Sequence, residues 1–498
     1  MASLMMLVGV FALCLHRENN TCMNVPILQD ADYAKLTQYE YIDLSQWLYQ
    51  NEEPAAIDTK TSTIYISQNV WEGTGLGELA GVLELRLPGY ALSFAPDEMF
   101  SDMASAMAQG HCFRLLAVKD ETRYMAYDVI FTALPVMKID GSETAEVDKE
   151  GRTVFSGNMC LWSAKDPEVD RYTVKSSPVK WHIRGATSAR MAKKSWKLSL
   201  REENGENHNL SFLNMGSDDD WILNSMSLDD SRVREKTSTD MWNQYICENH
   251  SGYRMSSAAY VEVVMNGQYQ GLYLLQRRID DKYLSLDQSR DVLFKCLATY
   301  EDLGLRVNYE INFSPYDEDS TYRLLENTLN NREECQIDLD SFMDTVLFVQ
   351  YYGLFDNQGY KNMYYVLRAE NRDNYKMFFV PWDTDMSMGL TWTDFFEYDY
   401  EGTLTTLCKR RENDAVQLVY PELDGLIAER WQKLRTSALA NDTALALLDK
   451  NIGMIQDSGA LDRDIQRWGL NYGGKDTHEA MYQWCRERWQ YLDGIYGK

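Results

Sequence analysis

The sequence predicts an α+β protein whose first part is rich in strands and whose last part is mainly helical. Apolar and polar residues alternate over residues 61–67 and 81–87, as in strands with one buried face. The dipeptide Asn266-Gly267 separates two apolar runs and predicts a type I′ hairpin, because both residues tolerate a positive φ. After residue 415, apolar residues recur at helical spacing, and we expect amphipathic helices over residues 426–435, 442–457, 462–468 and 478–495.

The charge of the chain limits the kinds of partner that it can bind. Its 498 residues carry a formal net charge of −27, which argues against nucleic acid or an anionic membrane surface as a partner. A polyanionic ligand would therefore have to meet a local basic cluster or a metal ion. The nine cysteines are scattered, without the Cys/His spacing of a zinc site.

The N-terminal region indicates a compartment and a domain division. Residues 4–15 are twelve uncharged, mostly apolar residues, which suits a signal peptide and is too short to span a bilayer. A buried N-terminal helix fits the same pattern. We therefore expect a secreted or cell-surface protein with no integral membrane domain. We divide the chain into a candidate signal segment (1–22), a β-rich accessory domain (23–133) that could contact glycans through its aromatic residues, and a main domain (134–498).

Within the main domain, the strongest basic cluster follows a predicted strand over residues 179–183. Gly185 opens a turn, Ser188 supplies a hydroxyl, and residues 194–200 alternate as a strand. Main-chain N–H groups of such a turn can bind phosphate oxygens, and a lysine on the next strand can neutralise charge. A solvated basic hairpin is the alternative interpretation. The cluster holds five cations, Arg184, Arg190, Lys193, Lys194 and Lys197.

The middle of the chain predicts fewer regular elements. A helix is expected over residues 232–248, after the polar residues 229–231. Residues 300–345 are polar and acidic, and we expect them to be irregular until an apolar helix over residues 341–352.

The segment 354–389 contains the residues best suited to bind a metal ion. Two strand-like runs, residues 363–367 and 376–380, are joined by a polar turn and predict a hairpin. Asp356 and Asn362 precede this hairpin, and Asp383 and Asp385 follow it. Hard oxygen ligands of this kind suit Mg²⁺ beside a triphosphate. Each of these residues is also common in turns, which is the structural alternative.

Four segments in this order resemble the spore coat protein H (CotH) kinase family over about residues 134–495. They are RGATSARMAKKSWKLSL, DWILNSMSLDDSRVREKTSTDMW, VEVVMNGQYQGLYLLQRRID and KNMYYVLRAENRDNYKMFFVPWDTDMSMG. The resemblance implies an atypical protein-kinase-like fold, with a β-rich N-lobe and a helical C-lobe. It also implies transfer of the γ-phosphate of ATP, with Mg²⁺ or Mn²⁺, to Ser or Thr of secreted or surface proteins. Many members are bacterial extracellular proteins.

The resemblance also implies a role for each matching residue. Arg184, Gly185, Ser188 and Lys194 would cradle the nucleotide phosphates. Asn362 and Asp383 would bind the metal ion. Asp356 would be the catalytic residue that accepts or orients the proton of the acceptor hydroxyl.

Two departures from the family pattern leave alternatives open. The family places its catalytic Asp five positions before the Asn, where this chain has Asn357, and Asp356 lies one position earlier. Gln276 stands where the family often has an acidic residue. A catalytically inactive surface-binding protein is therefore the alternative function, and the same ligands could also support AMP transfer.

Overall fold

A computed structural model describes residues 24–39, 42–70, 73–97, 102–120, 122–141, 145–164, 172–185, 188–246, 252–297, 304–330, 335–354, 356–357, 361–371, 374–391 and 421–497. The segment predicted as a signal peptide lies outside these residues. The strands are β1 (Thr37–Gln38), β2 (Leu48–Gln50), β3 (Glu53–Pro54), β4 (Ile57–Asp58), β5 (Thr63–Ser67), β6 (Leu83–Leu85), β7 (Tyr90–Phe94), β8 (Phe113–Lys119), β9 (Arg123–Thr132), β10 (Val136–Gly141), β11 (Glu146–Val147), β12 (Thr153–Ser163), β13 (Thr173–Arg184), β14 (Ser195–Leu200), β15 (Leu210–Ser211), β16 (Ser217–Asp218), β17 (Asp220–Asn224), β18 (Ala258–Met265), β19 (Gln268–Arg277), β20 (Val292–Cys296), β21 (Tyr309–Phe313), β22 (Cys335–Ile337), β23 (Met363–Ala369) and β24 (Tyr375–Pro381).

The helices concentrate in the second half of the chain, and those expected after residue 415 are present. They are α1 (Asp30–Tyr33), α2 (Leu76–Leu79), α3 (Met103–Ala108), α4 (Arg234–Met241), α5 (Leu305–Asn308), α6 (Glu318–Leu329), α7 (Leu339–Tyr352), α8 (Leu423–Leu434), α9 (Asn441–Asp457), α10 (Ala460–Trp468) and α11 (His478–Tyr496). A π-helical turn, Trp242–Ile246, extends α4. No helix in the described ranges is both long and apolar enough to cross a membrane.

The first sheet packs against the next one through a shared apolar layer. Its strand order is β4-β5-β9-β8-β7, with β1 added on β9, and it buries a core of its own. On the face toward the next sheet, Tyr65 of β5 stacks on Tyr269 of β19, with ring centroids 4.4 Å apart. Burial of such large rings supplies much of the contact energy between two sheets.

The second sheet closes into a seven-stranded barrel. The ring runs β10-β18-β19-β17-β14-β13-β12, and β10 completes it by pairing with both β18 and β12. Alternate residues point inward, as they do along the strands of any small barrel. Val179 and Trp181 of β13 and Leu198 and Leu200 of β14 fill the interior.

The C-terminal helices are fastened to this barrel by a buried ionic cluster. Asp464 of α10 accepts hydrogen bonds from Lys193 Nζ at 2.7 Å, Arg232 Nε at 2.8 Å and the main-chain nitrogen of Leu272 at 2.9 Å. A Cβ at Gly271 would lie 2.2 Å from the Asp464 carboxylate, so this contact requires glycine on β19. Removing one partner of such a buried pair is strongly destabilising.

A third sheet, of five strands in the order β21-β20-β23-β24-β22, supports the segment 354–389. Helix α7 packs on it, and Phe342 contacts Phe379 edge to face at 5.9 Å. The predictions of α7 and of the β23–β24 hairpin are confirmed. Helix α7 ends at Gly353, which adopts the left-handed conformation at its C-cap.

The predicted kinase-like fold, with a β-rich N-lobe and a helical C-lobe, is wrong. The N-terminal strands of the main domain close into a barrel, and the part expected to be helical contains the five-stranded sheet. Residues 300–345 were expected to be irregular, yet they include β21, α6 and β22. Barrel closure depends on pairs between strands far apart in sequence, which local periodicity does not reveal.

Candidate active site

The β23–β24 hairpin brings Asn362 and Asp383 to the same end of the third sheet. Met363 pairs with Pro381, and the main-chain nitrogen of Trp382 donates to the carbonyl of Asn362 at 3.0 Å. Asn362 and Asp383 both have positive φ, 55° and 57°, a conformation that Asn and Asp adopt more readily than most residues. The two candidate metal ligands therefore flank one pair of strand ends.

Asp356 lies directly beside Asn362. Its carboxylate accepts hydrogen bonds from Asn362 Nδ2 at 2.8 Å and from Lys361 Nζ at 3.0 Å. Burial raises the pKa of Asp356, Lys361 opposes this rise, and the charge of Asp383 adds to it. The candidate proton acceptor and the candidate metal ligands thus share one electrostatic environment.

Asn357, which stands at the family's usual position for the catalytic Asp, has a different environment. Its side chain is fully buried, and Nδ2 donates to the main-chain carbonyls of Asn362 at 2.8 Å and of Trp382 at 2.9 Å. The side chain of Asn357 therefore ties the two strand ends together, and the neighbouring Asp356 carries the carboxylate that contacts Asn362.

The carboxylates of Asp383 and Asp385 place two negative charges close together, and no hydrogen-bond donor in the described ranges contacts either of them. Within the described ranges, neither carboxylate accepts a hydrogen bond or forms an ion pair. Burial raises the pKa of Asp385 well above its ordinary value, and the charge of Asp383 raises it further. Two half-buried carboxylates without donors are costly unless a cation accompanies them.

Sequence reasoning missed a fourth carboxylate of the site, that of Glu235 on α4. Thr384, which lies between Asp383 and Asp385, donates to Glu235 Oε2 from its main-chain nitrogen and, at 2.9 Å, from its hydroxyl. Gln276 Nε2 donates to Glu235 Oε1 at 2.9 Å. Burial, followed by the charge of Asp383, raises the pKa of Glu235 to about 7. The sequence signal for Glu235 was Gln276, which stands where the family often has an acidic residue. In the structure the carboxylate of Glu235 reaches this position from α4.

Arg234, the neighbour of Glu235, holds the remainder of the same loop. Its Nε donates to the carbonyl of Ser387 at 2.7 Å, and its guanidinium pairs with Asp229 and Asp476 at 2.6 and 2.8 Å. The first turn of α4 therefore fixes both halves of the segment that carries Asp383 and Asp385.

The turn after Arg184 is compact. Gly185 has a φ of 98°, and a Cβ there would lie 2.1 Å from Ser188 Oγ. Lys194 Nζ donates to the carbonyl of Ala189 at 2.9 Å, which closes the other side of the turn. Residues 186 and 187 lie outside the described ranges. The turn juxtaposes Gly185, Ser188 and Lys194 as the sequence led us to expect, and their contact with phosphate remains a prediction.

The five cations of the basic cluster have separate environments. Lys193 is buried against Asp464, and burial lowers its pKa to about 8. Lys197 pairs with Asp220 at 2.8 Å. Among the described residues, Arg184 is the one of the five that contacts the metal-binding segment: its guanidinium carbon lies 5.7 Å from the centroid of the Trp382 ring.

A further cation at this site, Lys295 of β20, is invisible in the sequence pattern. Lys295 pairs in register with Tyr364 of β23, and its Nζ lies 5.8 Å from the Tyr364 ring centroid. Tyr364 in turn contacts Trp382 edge to face at 6.2 Å. Only the pairing of β20 with β23 brings this lysine to the site.

The donor set suits a hard divalent cation. Mg²⁺ takes one or two carboxylates, with phosphate oxygens and water completing its shell. Asp383 and Asp385 offer two carboxylates without donors, and Asn362 offers an amide oxygen. No group of three or more His, Cys, Asp and Glu residues arranged to hold a metal ion occurs in the described residues.

The residues of this site lie within a segment that matches a known protein family. The family model described as CotH kinase protein matches residues 181–492, which is 312 of the 498 residues. The match spans the Gly185 turn, α4, β19, β20 and the β23–β24 hairpin. No curated protein matches the chain significantly.

Proposed function

Because the chain belongs to the CotH kinase protein family, we propose that it is an ATP-dependent phosphotransferase that acts on Ser or Thr hydroxyls. The observation that carries this proposal is the pair of carboxylates on Asp383 and Asp385, which accept no hydrogen bond among the described residues. Both interact electrostatically with Asp356, the hydrogen-bond partner of Asn362. Phosphoryl transfer requires little beyond such positioning and charge neutralisation.

In this proposal each residue has a defined task. Asp383, Asp385 and Asn362 hold Mg²⁺ or Mn²⁺, which would neutralise charge on the triphosphate. Asp356 accepts the proton of the acceptor hydroxyl while the new O–P bond forms and the bond from the γ-phosphorus to the β,γ-bridging oxygen breaks, which releases ADP. The raised pKa of Asp356 supports this task, since a base works best when its pKa approaches the working pH.

We further propose that residues 134–498 form the catalytic unit and that residues 23–133 form an accessory domain. The separate core of the first sheet supports this division. The acceptor would be a secreted or surface protein, as the apolar run at residues 4–15 and the family resemblance suggest.

The decisive experiment follows label transfer from ATP. Purified protein is incubated with ATP labelled at the γ-phosphate, with Mg²⁺ or Mn²⁺, and the label incorporated by the protein or by casein is compared for wild type and Asp383→Ala. We expect labelling of wild type that is lost in the variant. Labelling from ATP carrying the label on the α-phosphate would identify AMP transfer instead.

Equal labelling of wild type and Asp383→Ala would overturn the proposal. Absence of labelling in both, together with metal-dependent ATP binding, would favour an inactive binding protein. The register of Asp356 is the observation on which that second function depends, because this carboxylate lies six positions before Asn362.

A further inference from the structure

Two cations lie against a pair of aromatic rings at the edge of the candidate site. Arg184 lies 5.7 Å from the ring centroid of Trp382, and Lys295 Nζ lies 5.8 Å from that of Tyr364. The two rings contact each other at 6.2 Å. Trp382 directly precedes Asp383, and Tyr364 lies two positions after Asn362, so the cations flank the candidate metal ligands.

Neither cation has an anionic partner in the described part of the chain. No hydrogen bond or ion pair joins Arg184 or Lys295 to a carboxylate there. Asp383, and after it Glu310, the cross-strand partner of Lys295, act on Lys295 through charge alone, without an ion pair. Burial lowers the pKa of Lys295, and the nearby charge of Arg184 lowers it further. In a protein of net charge −27, two unpaired cations that repel each other indicate a place for an anion.

Other cations near the site already have partners. Arg278 pairs with Asp220 at 3.3 Å, Lys361 pairs with Asp356 at 3.0 Å, and Lys194 donates to a main-chain carbonyl. Among the described residues, Arg184 and Lys295 are therefore the cations near Asp383 that have no anionic partner.

We propose that Lys295 and Arg184 together bind the polyphosphate of the nucleotide and that Lys295 is its principal lysine contact. This inference rests on the proposed function, because it assumes that the ligand of the site carries phosphates. The ammonium and the guanidinium, together with the nearby carboxylates of Asp383 and Asp385, suit a metal–polyphosphate complex, in which charges of both signs must be met.

The test measures binding, separately from transfer. Isothermal titration of the full chain with ATP and with inorganic tripolyphosphate, each with Mg²⁺, is compared for wild type, Lys295→Met, Arg184→Gln and Lys194→Met. Lys376→Met is the matched control, since Lys376 lies on β24 of the same sheet and pairs with Glu370 at 3.1 Å. We expect Lys295→Met and Arg184→Gln each to weaken both ligands by about tenfold or more, because each loses a hydrogen bond to a charged group. Lys194→Met should weaken binding less than Lys295→Met does, because Lys194 already donates to a main-chain carbonyl, and Lys376→Met should change Kd by less than about threefold.

The outcomes separate this inference from the proposed function. Unchanged Kd values for folded Lys295→Met would overturn it even if wild type transfers phosphate. Lysine-dependent tripolyphosphate binding without any transfer would support it and count against the proposed function. If Lys295→Met does not fold, Lys295→Arg and Arg184→Gln decide. Retained affinity in Lys295→Arg together with weaker binding in Arg184→Gln supports the inference. Unchanged affinity in Arg184→Gln overturns it.

Discussion

Glu235 accepts hydrogen bonds from both the main-chain nitrogen and the hydroxyl of Thr384. Thr384 lies between Asp383 and Asp385, the two carboxylates that we propose as metal ligands. Glu235, which belongs to α4, therefore holds the loop that carries them in place. The same carboxylate accepts from Gln276 of the barrel. One buried side chain of α4 therefore links the barrel to the candidate metal site.

Replacing Glu235 should disturb the loop more than the fold around it. Glu235→Ala leaves three donor groups of Thr384 and Gln276 without an acceptor, and we expect the free energy of unfolding to fall by about 3 kcal/mol. Glu235→Gln keeps an acceptor and should lose much less. Thermal unfolding and Mg²⁺-dependent ATP affinity measure both effects. Glu326→Gln, at an exposed position on α6, is the control, and equal behaviour of Glu235→Ala and this control would contradict the prediction.

The pH dependence of stability should reveal the same carboxylate. Glu235 has a pKa of about 7 in the folded protein against an ordinary value of 4.5, so the folded state binds this proton more tightly than the unfolded state. The contribution of Glu235 to stability should therefore fall as pH rises from about 4.5 to about 7, by up to about 3 kcal/mol in metal-free buffer. Glu235→Gln should flatten the curve in this window. Chemical denaturation at several pH values measures it, and an identical slope in the variant would refute the assignment.

Asp383→Asn should separate stability from activity. Asn tolerates the positive φ at this position, and the substitution removes a charge that raises the pKa of Asp385. We expect metal-free stability to rise, because the site then holds one uncompensated negative charge fewer. Phosphate transfer and Mg²⁺ binding should be lost. A large drop in melting temperature would show that Asp383 has a structural role instead.

The two neighbours Asp356 and Asn357 should give opposite phenotypes. Asp356→Asn should lower the transfer rate by about 100-fold or more with little change in stability, as expected for loss of a general base. Asn357→Ala removes two hydrogen bonds to buried carbonyls and should lower the free energy of unfolding by about 2 kcal/mol. The measurements are initial transfer rates and thermal unfolding. Full activity of Asp356→Asn would assign the proton acceptor elsewhere.

The Gly185 turn offers a comparison between two glycines in similar conformations. Gly185 and Gly205 have φ values of 98° and 89°, but only a Cβ at Gly185 meets another atom, Ser188 Oγ at 2.1 Å. Both alanine variants should lose about 1 kcal/mol from backbone strain, and Gly185→Ala should lose more. Gly185→Ala should also weaken ATP binding, which Gly205→Ala should leave unchanged. The double variant Gly185→Ala/Ser188→Ala should recover part of the loss in thermal unfolding, and no recovery would argue against a steric clash.

Local residue patterns were sufficient for part of the site. The alternating runs on either side of the polar turn predicted β23 and β24, and the polar residues at their ends identified Asn362 and Asp383 as neighbours. The apolar run before them predicted α7. These elements depend on contacts between residues close in sequence, which periodicity and turn chemistry encode directly.

Tertiary structure decided the rest. The closed barrel, the β20–β23 pairing that delivers Lys295, and the reach of Glu235 from α4 to Thr384 all join residues far apart in the chain. By itself the sequence determined which residue types stand at the strand ends, because hydrogen bonding and pleat alternation act locally. Strand partnership and charge compensation across elements depend on packing of the whole chain, and only the folded structure assigned them.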